Sequence, residues 1–327
     1  MFLQIKNLSV TFNSIYGKTD VLEDVSLHVN KGEIIGIVGE SGSGKSVTAL
    51  SILGLLDRNA EITNGEIIYK DKNLLQLSEK EIQLLRGKEI GMIFQEPMTA
   101  LNPTMKIGKQ IANVIQKHQK VNKKEADRLT IAALKDVKIN DPEEVAKKYP
   151  FQLSGGMRQR VVIALAMSAP PELVIADEPT TALDVTIQAE ILKLMQELCE
   201  KKGTSIILIT HDLGVVANIC DRVYVMYGGK IVEEGNTKQV LMKSSHPYTR
   251  GLIESLPEGK SQDEALKVLH GESFNPRNRP QGCVFYSRCP IRTEKCLHEQ
   301  PTIVEVNQDH KISCWEAEVY VDHQELV

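Results

Sequence analysis

Gly39-Glu-Ser-Gly-Ser-Gly-Lys-Ser46 has the spacing G-x-x-x-x-G-K-S, and this stretch decides the fold of the chain. It follows the apolar run Ile34–Val38, which is typical of a buried parallel strand, and it opens a helix predicted from Lys45 through Leu56. Glycines let the backbone wrap a triphosphate without Cβ clashes, and the helix N-terminus offers N–H donors and its dipole. The residues predicted to bind nucleotide here are Gly39, Ser41, Gly42, Ser43, Gly44, Lys45, Ser46 and Val47.

Four side chains supply the charge and the chemistry that a triphosphate needs. Lys45 would reach the β- and γ-phosphates, and the Ser46 hydroxyl would ligate Mg²⁺. Asp177 ends the apolar run Leu173–Ala176, where a carboxylate can hold the same Mg²⁺ through water. Glu178 follows, placed to orient and deprotonate the attacking water, a role that contributes about 10²–10⁴-fold to a rate. The sequence therefore predicts hydrolysis of the bound nucleotide.

Strand and helix patterns alternate along most of the chain. The predicted strands are Leu3–Phe12, Val21–Val29, Ile34–Val38, Leu173–Ala176, Ser205–Ile209 and Val223–Met226. From about Glu96 to Gly155 the apolar residues recur with helical spacing. Parallel strands with intervening helices imply an α/β core that is covered on both faces. After Gly235 the prolines become frequent and indicate a loop-rich tail.

Length and charge limit the classes of protein that remain. The chain has 327 residues, so we expect one large domain with an appendage. A formal net charge of -4 gives no electrostatic reason to expect nucleic acid as a partner. No apolar run approaches the roughly 20 residues that span a bilayer, and the N-terminus lacks the pattern of a secretory signal. We therefore expect a peripheral protein on the cytoplasmic face of the cell membrane.

A second motif, Ser154-Gly-Gly-Met157, places a serine and two glycines before a helical segment, which makes another anion-binding N-terminus. Together with the first loop and Asp177-Glu178, it resembles the motifs of the ATP-binding cassette (ABC) ATPases. The resemblance implies a RecA-like P-loop core with an antiparallel β subdomain and an inserted α-helical signature subdomain. It also implies a head-to-tail dimer, in which Ser154, Gly155 and Gly156 contact ATP on the other subunit and Asp184 reports across the interface.

The same resemblance adds three residues to the nucleotide site. His211 follows a strand pattern and matches the switch histidine, which bonds the γ-phosphate and braces Glu178. Gln95 matches the Q-loop glutamine, which senses Mg²⁺ and water. The predicted catalytic residues are therefore Glu178, His211 and Gln95. Tyr16 matches the aromatic platform that stacks on adenine, with Phe12 as the competing candidate.

Further motifs are spread over nearly the whole chain, in the segments Met92–Pro103, Gly155–Arg160, Ile175–Gln188, His246–Leu252 and Cys283–Pro290. Together they resemble the D-type ATP-binding subunits of bacterial oligopeptide/dipeptide importers. The resemblance implies an F-type ATPase subunit as partner in a heterodimer, two transmembrane permease subunits and an extracellular peptide-binding protein. It predicts a nucleotide-binding core at 1–95 and 156–235, a helical subdomain at 96–155 and a C-terminal extension at 236–327.

The tail holds four of the six cysteines, which are Cys283, Cys289, Cys296 and Cys314. Clustering of this kind in a reducing compartment favours a metal or cluster site over disulfides. The spacing lacks the tight C-x₂-C knuckle of structural zinc, whereas iron–sulfur clusters accept four thiolates at varied spacing. The resemblance implies a [4Fe–4S] cluster, with Zn²⁺ or no metal as alternatives. His298 and His310 are spare ligands that we expect on the surface.

Two other functions remain to be tested against peptide import. Machinery built from the same parts imports nickel or a metal-chelate complex, but close relatives of that kind often lack a long cysteine-bearing tail. A soluble ABC ATPase acting on nucleic acid or ribosomes is disfavoured, because this chain has one uninterrupted cassette, no heptad repeats and a mildly acidic charge. The sequence therefore predicts an ATPase, with ATP and Mg²⁺ as ligands, that powers peptide uptake.

Overall fold

The structure is a computed structural model that describes residues 1–181, 183–256 and 269–317. These residues form two compact units. The first unit comprises Met1–His28, Ile35–Leu75 and the described part of Thr210–Val327. The second unit comprises Val29–Ile34 and Gln76–Ile209. No helix in the described ranges is both long enough and apolar enough to cross a membrane.

The strands are β1 (Leu3–Ser14), β2 (Gly17–Val29), β3 (Ile34–Val38), β4 (Ala60–Tyr69), β5 (Lys72–Asn73), β6 (Ile90–Ile93), β7 (Leu173–Asp177), β8 (Ser205–Thr210), β9 (Arg222–Tyr227), β10 (Lys230–Asn236), β11 (Val304–Asn307) and β12 (His310–Ile312). The helices are α1 (Lys45–Leu53), α2 (Glu79–Leu85), α3 (Pro97–Ala100), α4 (Ile107–Gln119), α5 (Lys123–Asp136), α6 (Pro142–Val145), α7 (Gly155–Met167), α8 (Val185–Lys202), α9 (Leu213–Ile219), α10 (Thr237–Met242), α11 (Pro247–Glu254) and α12 (Glu294–His298). Short 3-10 helices occur at Leu74–Gln76, Pro150–Gln152, Pro276–Asn278 and Tyr286–Arg288.

The first unit contains two sheets. One is antiparallel, with the strand order β2-β1-β4-β5. In the other, β11-β12-β10-β9 are antiparallel neighbours, and β3 pairs with β9 in parallel. All five residues of β3 are buried, as expected for a strand covered on both faces. This strand leads directly into the glycine-rich loop and α1.

The second unit contains three parallel strands in the order β8-β7-β6, together with helices α2 to α8. Helix α4 turns Ile107, Ile111 and Ile115 inward, at the i, i+4, i+8 spacing of one helix face, and packs on α5 and α7. Ser154 caps α7 and Asp184 caps α8 with side-chain hydrogen bonds. The chain continues from the carboxyl ends of β6, β7 and β8 into the motif residues Gln95, Glu178 and His211, respectively.

All six predicted strands form, and the main differences from the sequence analysis lie at element ends and in the tail. Helix α1 stops at Leu53 rather than Leu56, because Gly54 adopts a left-handed conformation and its N–H caps the helix. The tail contains more regular structure than its prolines indicate. There, β12 pairs with β10, and β11 pairs with β12.

Candidate functional site

The glycine-rich loop lies tightly against neighbouring strands of the first unit. A Cβ atom on Gly39 would stand 2.2 Å from the backbone oxygen of Met226, and one on Gly44 would stand 2.4 Å from a methyl group of Leu22. Both glycines also have positive φ, at 153° and 104°. A side chain at Gly39 would collide with the backbone, and the positive φ strains any other residue at both positions, so the structure explains why the motif needs glycine there.

Polar groups of the loop are arranged to receive an anion. The Lys45 side chain is buried, and its ammonium group donates to the carbonyl oxygens of Gly39 at 2.7 Å and Glu40 at 2.9 Å. The buried Ser43 hydroxyl has no hydrogen-bond partner among the described residues. Helix α1 starts at Lys45 and points its N-terminus into the same loop. An orphaned hydroxyl, an ammonium group and a helix N-terminus together fit a phosphate.

In the second unit, Asp177 and Glu178 stand where β7 ends. Asp177 is 7% exposed and pairs with Ile209 of β8 in parallel register. Glu178 has a left-handed backbone with φ of 45°, and its N–H donates to the Ile209 oxygen at 2.9 Å. Such a conformation costs about 1–3 kcal/mol for a residue other than glycine and is typical of functional sites. The fold therefore turns the chain sharply at the predicted general base.

The Glu178 carboxylate is held by two side chains of the same unit. Its Oε2 accepts a hydrogen bond from the Gln95 amide at 3.0 Å and another from the Thr181 hydroxyl at 2.9 Å. The structure thus brings together two predicted catalytic residues, Gln95 and Glu178. Thr181 was missed by the sequence analysis, although its position three residues after Glu178 in a tight turn was a usable signal.

The signature motif, Ser154 to Gly156, forms the start of α7. The Ser154 hydroxyl accepts the Met157 N–H at 3.4 Å and caps α7; Ser154 is exposed, and Gly155, Gly156 and Met157 are half-buried. A Cβ atom on Gly156 would lie 3.1 Å from Ile187 of α8, so the two helices approach closely at this point. Asp184 caps α8 by accepting the Ile187 N–H at 2.9 Å. This geometry fits a second anion-binding surface.

Two other predicted residues lie in the first unit. His211 is exposed immediately after β8. Tyr16 occupies the turn between β1 and β2 and is 78% exposed, with the guanidinium carbon of Arg277 at 5.2 Å from its ring centroid. The competing candidate Phe12 is half-buried within β1. Of the two rings, that of Tyr16 is the more exposed, and Arg277 lies over it.

The four tail cysteines line one small cavity of about 10 Å³, which is no more than the space that one water molecule needs. Burial raises the pKa of Cys283 to about 11 and that of Cys314 to about 12. Across the described ranges, no group of three or more histidine, cysteine, aspartate or glutamate residues could hold a metal ion. The predicted iron–sulfur cluster is therefore wrong, and nothing supports the zinc alternative.

His310 is 1% exposed, so the expectation of a surface position was wrong. Its Nε2 lies 2.8 Å from Oε1 of Glu233, whose side chain is fully buried in β10. The Glu233 carboxylate also accepts the backbone N–H groups of Ser245 at 2.8 Å and His246 at 3.3 Å. These contacts tie the tail to the sheet of the first unit.

Two segments of the chain match known protein families. Residues 22–181 match the family described as "ABC transporter", and residues 232–296 match "Oligopeptide/dipeptide transporter, C-terminal region". The chain is 48% identical over 315 residues to the oligopeptide transport ATP-binding protein OppD of Bacillus subtilis, covering 96% of this chain and 88% of that protein. It is 46% identical over 325 residues to the dipeptide transport ATP-binding protein DppD of the same organism, covering 99% and 97%.

A solved structure shares the fold. The dimeric post-hydrolysis state of the ATP-binding cassette MJ0796 bound to ADP and Pi matches with a TM-score of 0.64 at 30% identity, covering 72% of this chain and 98% of that one. The described residues thus have the α/β fold of ABC ATPases, with an antiparallel sheet and a mixed sheet.

Proposed function

This chain belongs to the family of ABC transporter ATP-binding subunits, and we propose that it hydrolyses ATP to power the import of oligopeptides or dipeptides. One observation carries the choice of cargo. The similarity to peptide transport subunits runs through the cassette and also through the C-terminal region at residues 232–296. A cassette alone would support ATP hydrolysis but would not distinguish one imported substrate from another.

ATP binding is assigned to the loop of the first unit. The glycines admit the phosphates, Lys45 neutralises the β- and γ-phosphates, and Tyr16 stacks on adenine. The orphaned hydroxyl of Ser43 supports this assignment, since a phosphate oxygen would satisfy it. The residues assigned to Mg²⁺ are Ser46, Gln95 and Asp177. When bound, the ion neutralises charge that develops on the phosphate oxygens.

Hydrolysis is assigned to the residues after β7. Glu178 takes a proton from the attacking water, which adds to the γ-phosphorus as the bond to ADP breaks, giving ADP and phosphate. The hydrogen bonds from Gln95 and Thr181 support this role, because they fix the carboxylate in one orientation. His211 is assigned to the γ-phosphate. The left-handed backbone of Glu178 further supports a functional constraint at this residue.

Assembly with partners follows from the signature motif. Ser154, Gly155 and Gly156 are assigned to ATP held by an F-type ATPase subunit in a head-to-tail heterodimer, with Asp184 at the interface. The exposed position of Ser154 at the start of α7 supports an intermolecular ligand. Two transmembrane permease subunits and an extracellular peptide-binding protein complete the importer, and this chain works at the cytoplasmic face of the membrane. The proposed parts are a core at 1–95 and 156–235, a helical subdomain at 96–155 and an extension at 236–327.

The deciding experiment measures ATP hydrolysis by the complete complex in proteoliposomes. Peptides of two to eight residues are compared with a nickel–histidine complex, and Glu178→Gln serves as the blank because it keeps an oxygen acceptor for Gln95 and Thr181. We expect stimulation by peptides alone. Stimulation by the metal complex alone would refute peptide import and leave the ATPase assignment standing. Nucleic acid is included as a third addition, and we expect no response to it.

A further inference from the structure

Glu40 places a carboxylate inside the loop that the proposed function assigns to the phosphates of ATP. It is the second residue of the loop, and its side chain is 25% exposed. Its carbonyl oxygen accepts a hydrogen bond from the Lys45 ammonium group at 2.9 Å, so its position also affects that lysine. A negative charge here would repel a triphosphate unless a cation cancels it.

Arg288 supplies that cation from the C-terminal region of the same unit. It lies in the 3-10 helix Tyr286–Arg288, and its side chain is 4% exposed. Its Nη1 and Nη2 donate to the two carboxylate oxygens of Glu40 at 2.7 and 3.0 Å. This paired geometry is the strongest that arginine forms with a carboxylate, and low exposure limits screening by salt. The charge of Glu40 is therefore compensated within the chain.

Further contacts within the chain hold the guanidinium of Arg288. Its Nε donates to the His270 carbonyl oxygen at 3.1 Å, and Nη2 also donates to that of Leu269 at 3.3 Å. The Tyr227 ring centroid lies 5.8 Å from the guanidinium carbon. Arg288 cannot turn away from Glu40 without losing these contacts, so it holds the carboxylate in one place.

Tyr248 restrains the backbone of the loop at the same residue. Its hydroxyl oxygen accepts the Glu40 N–H at 2.8 Å, and the side chain is fully buried. Its ring lies 4.6 Å from that of Tyr227 and 5.4 Å from that of Phe285, measured between centroids. Packing of these rings and the hydrogen bond to Glu40 connect α11 with the loop.

We propose that Arg288 is a positioning residue for ATP binding, which neutralises Glu40 and, together with Tyr248, holds the phosphate-binding loop ready for the triphosphate. The C-terminal region is then a working part of the nucleotide site. This inference rests on the proposed function, because it needs ATP to bind at the loop that contains Glu40. It predicts that the loss of Arg288 acts through the exposed charge of Glu40.

The test measures the affinity of the purified full chain for a non-hydrolysable ATP analogue with Mg²⁺. Arg288→Met should weaken binding by about tenfold, because the uncompensated carboxylate opposes the phosphates. Arg288→Lys should lie between this variant and the parent, because it keeps the charge and loses the paired geometry. The double variant Glu40→Gln/Arg288→Met should recover most of the lost affinity. Arg292→Met is the matched control, since Arg292 hydrogen-bonds to carbonyl oxygens of the tail and stacks on Tyr286.

Each outcome separates the inference from the function on which it rests. If the parent chain binds no ATP analogue, the proposed function fails. If the parent binds and Arg288→Met binds within twofold of it, the positioning role is overturned. A double variant as weak as Arg288→Met also overturns it, because charge compensation would then be irrelevant. If Arg288→Met does not fold, Glu40→Gln decides alone: we expect affinity about threefold above the parent, and a weaker affinity refutes the inference.

Discussion

The buried His246 should make the stability of the C-terminal region depend on pH. His246 is 2% exposed at the start of α11, and its Nδ1 accepts the Tyr248 N–H at 3.1 Å. Burial lowers the pKa of His246 from its usual 6.5 to about 4, against the opposing effect of the nearby Glu233 carboxylate. A proton on Nδ1 would also break the cap of α11. The folded chain therefore holds this ring neutral.

The sign and size of the effect follow from the two pKa values. Between pH 6.5 and 4 the unfolded chain binds a proton at His246 and the folded chain does not. The free energy of unfolding therefore rises with pH in this window. The contribution is fully present above pH 6.5 and is lost as the pH falls. At pH 5 the loss from this one residue amounts to about 2 kcal/mol.

Urea unfolding followed through Trp315 measures this loss, because this single tryptophan lies in the C-terminal region. Between pH 8 and pH 5 we expect the free energy of unfolding of the parent to fall by about 2 kcal/mol more than that of His246→Asn. The asparagine keeps a side-chain acceptor for the cap. Exposed His298 provides the control, and His298→Asn should lose as much as the parent. Equal losses for the parent and His246→Asn would refute the reasoning.

Three further outcomes are expected. Thr181→Val should lower kcat by about three- to tenfold with an unchanged KM for ATP, because it removes one hydrogen bond to Glu178; a raised KM would instead assign Thr181 to binding. Gly39→Ala should weaken ATP binding by at least about tenfold in a titration, because its Cβ would lie 2.2 Å from the Met226 oxygen; parent-like affinity would show that the loop tolerates this displacement. Burial raises the pKa of Cys199 to about 12, so a thiol reagent at pH 8 should modify it only after unfolding; rapid labelling of the folded chain at this residue would contradict its burial.

Strand periodicity and the glycine motif predicted those elements that depend only on neighbouring residues in the sequence. The run Ile34–Val38 and the start of α1 at Lys45 appear as expected, because periodicity and the glycine motif act within a few residues. Strand β11 was not predicted, because Val304-Glu-Val-Asn307 alternates apolar and polar residues over four positions only, and these are mostly exposed. It forms by pairing with β12, which in turn pairs with β10, and such partners are not visible in a local window.

In the candidate site, too, the motif residues were predicted and the long-range contacts were not. Gln95 and Glu178 were predicted from motifs, and the structure joins them by a hydrogen bond. The pair between Arg288 and Glu40 was not predicted, because 248 residues separate two side chains of common type. The tail cysteines line one cavity, but their spacing did not reveal that, among the described residues, no group of three or more such side chains could hold a metal ion. Sequence therefore gives motif chemistry more readily than the contacts that tune it.

The buried carboxylate of Glu233 limits where the tail can be exchanged, by recombination or by engineering. The composition changes just after Gly235, which makes this point an attractive place to exchange one tail for another. Yet Glu233 depends on Ser245, His246 and His310, all of which lie beyond that point. A foreign tail without equivalent donors would leave a charge in an apolar interior, at a cost of several kcal/mol. Recombination should therefore succeed when β10 travels with the tail, and a chimaera joined at residue 235 should fail to accumulate.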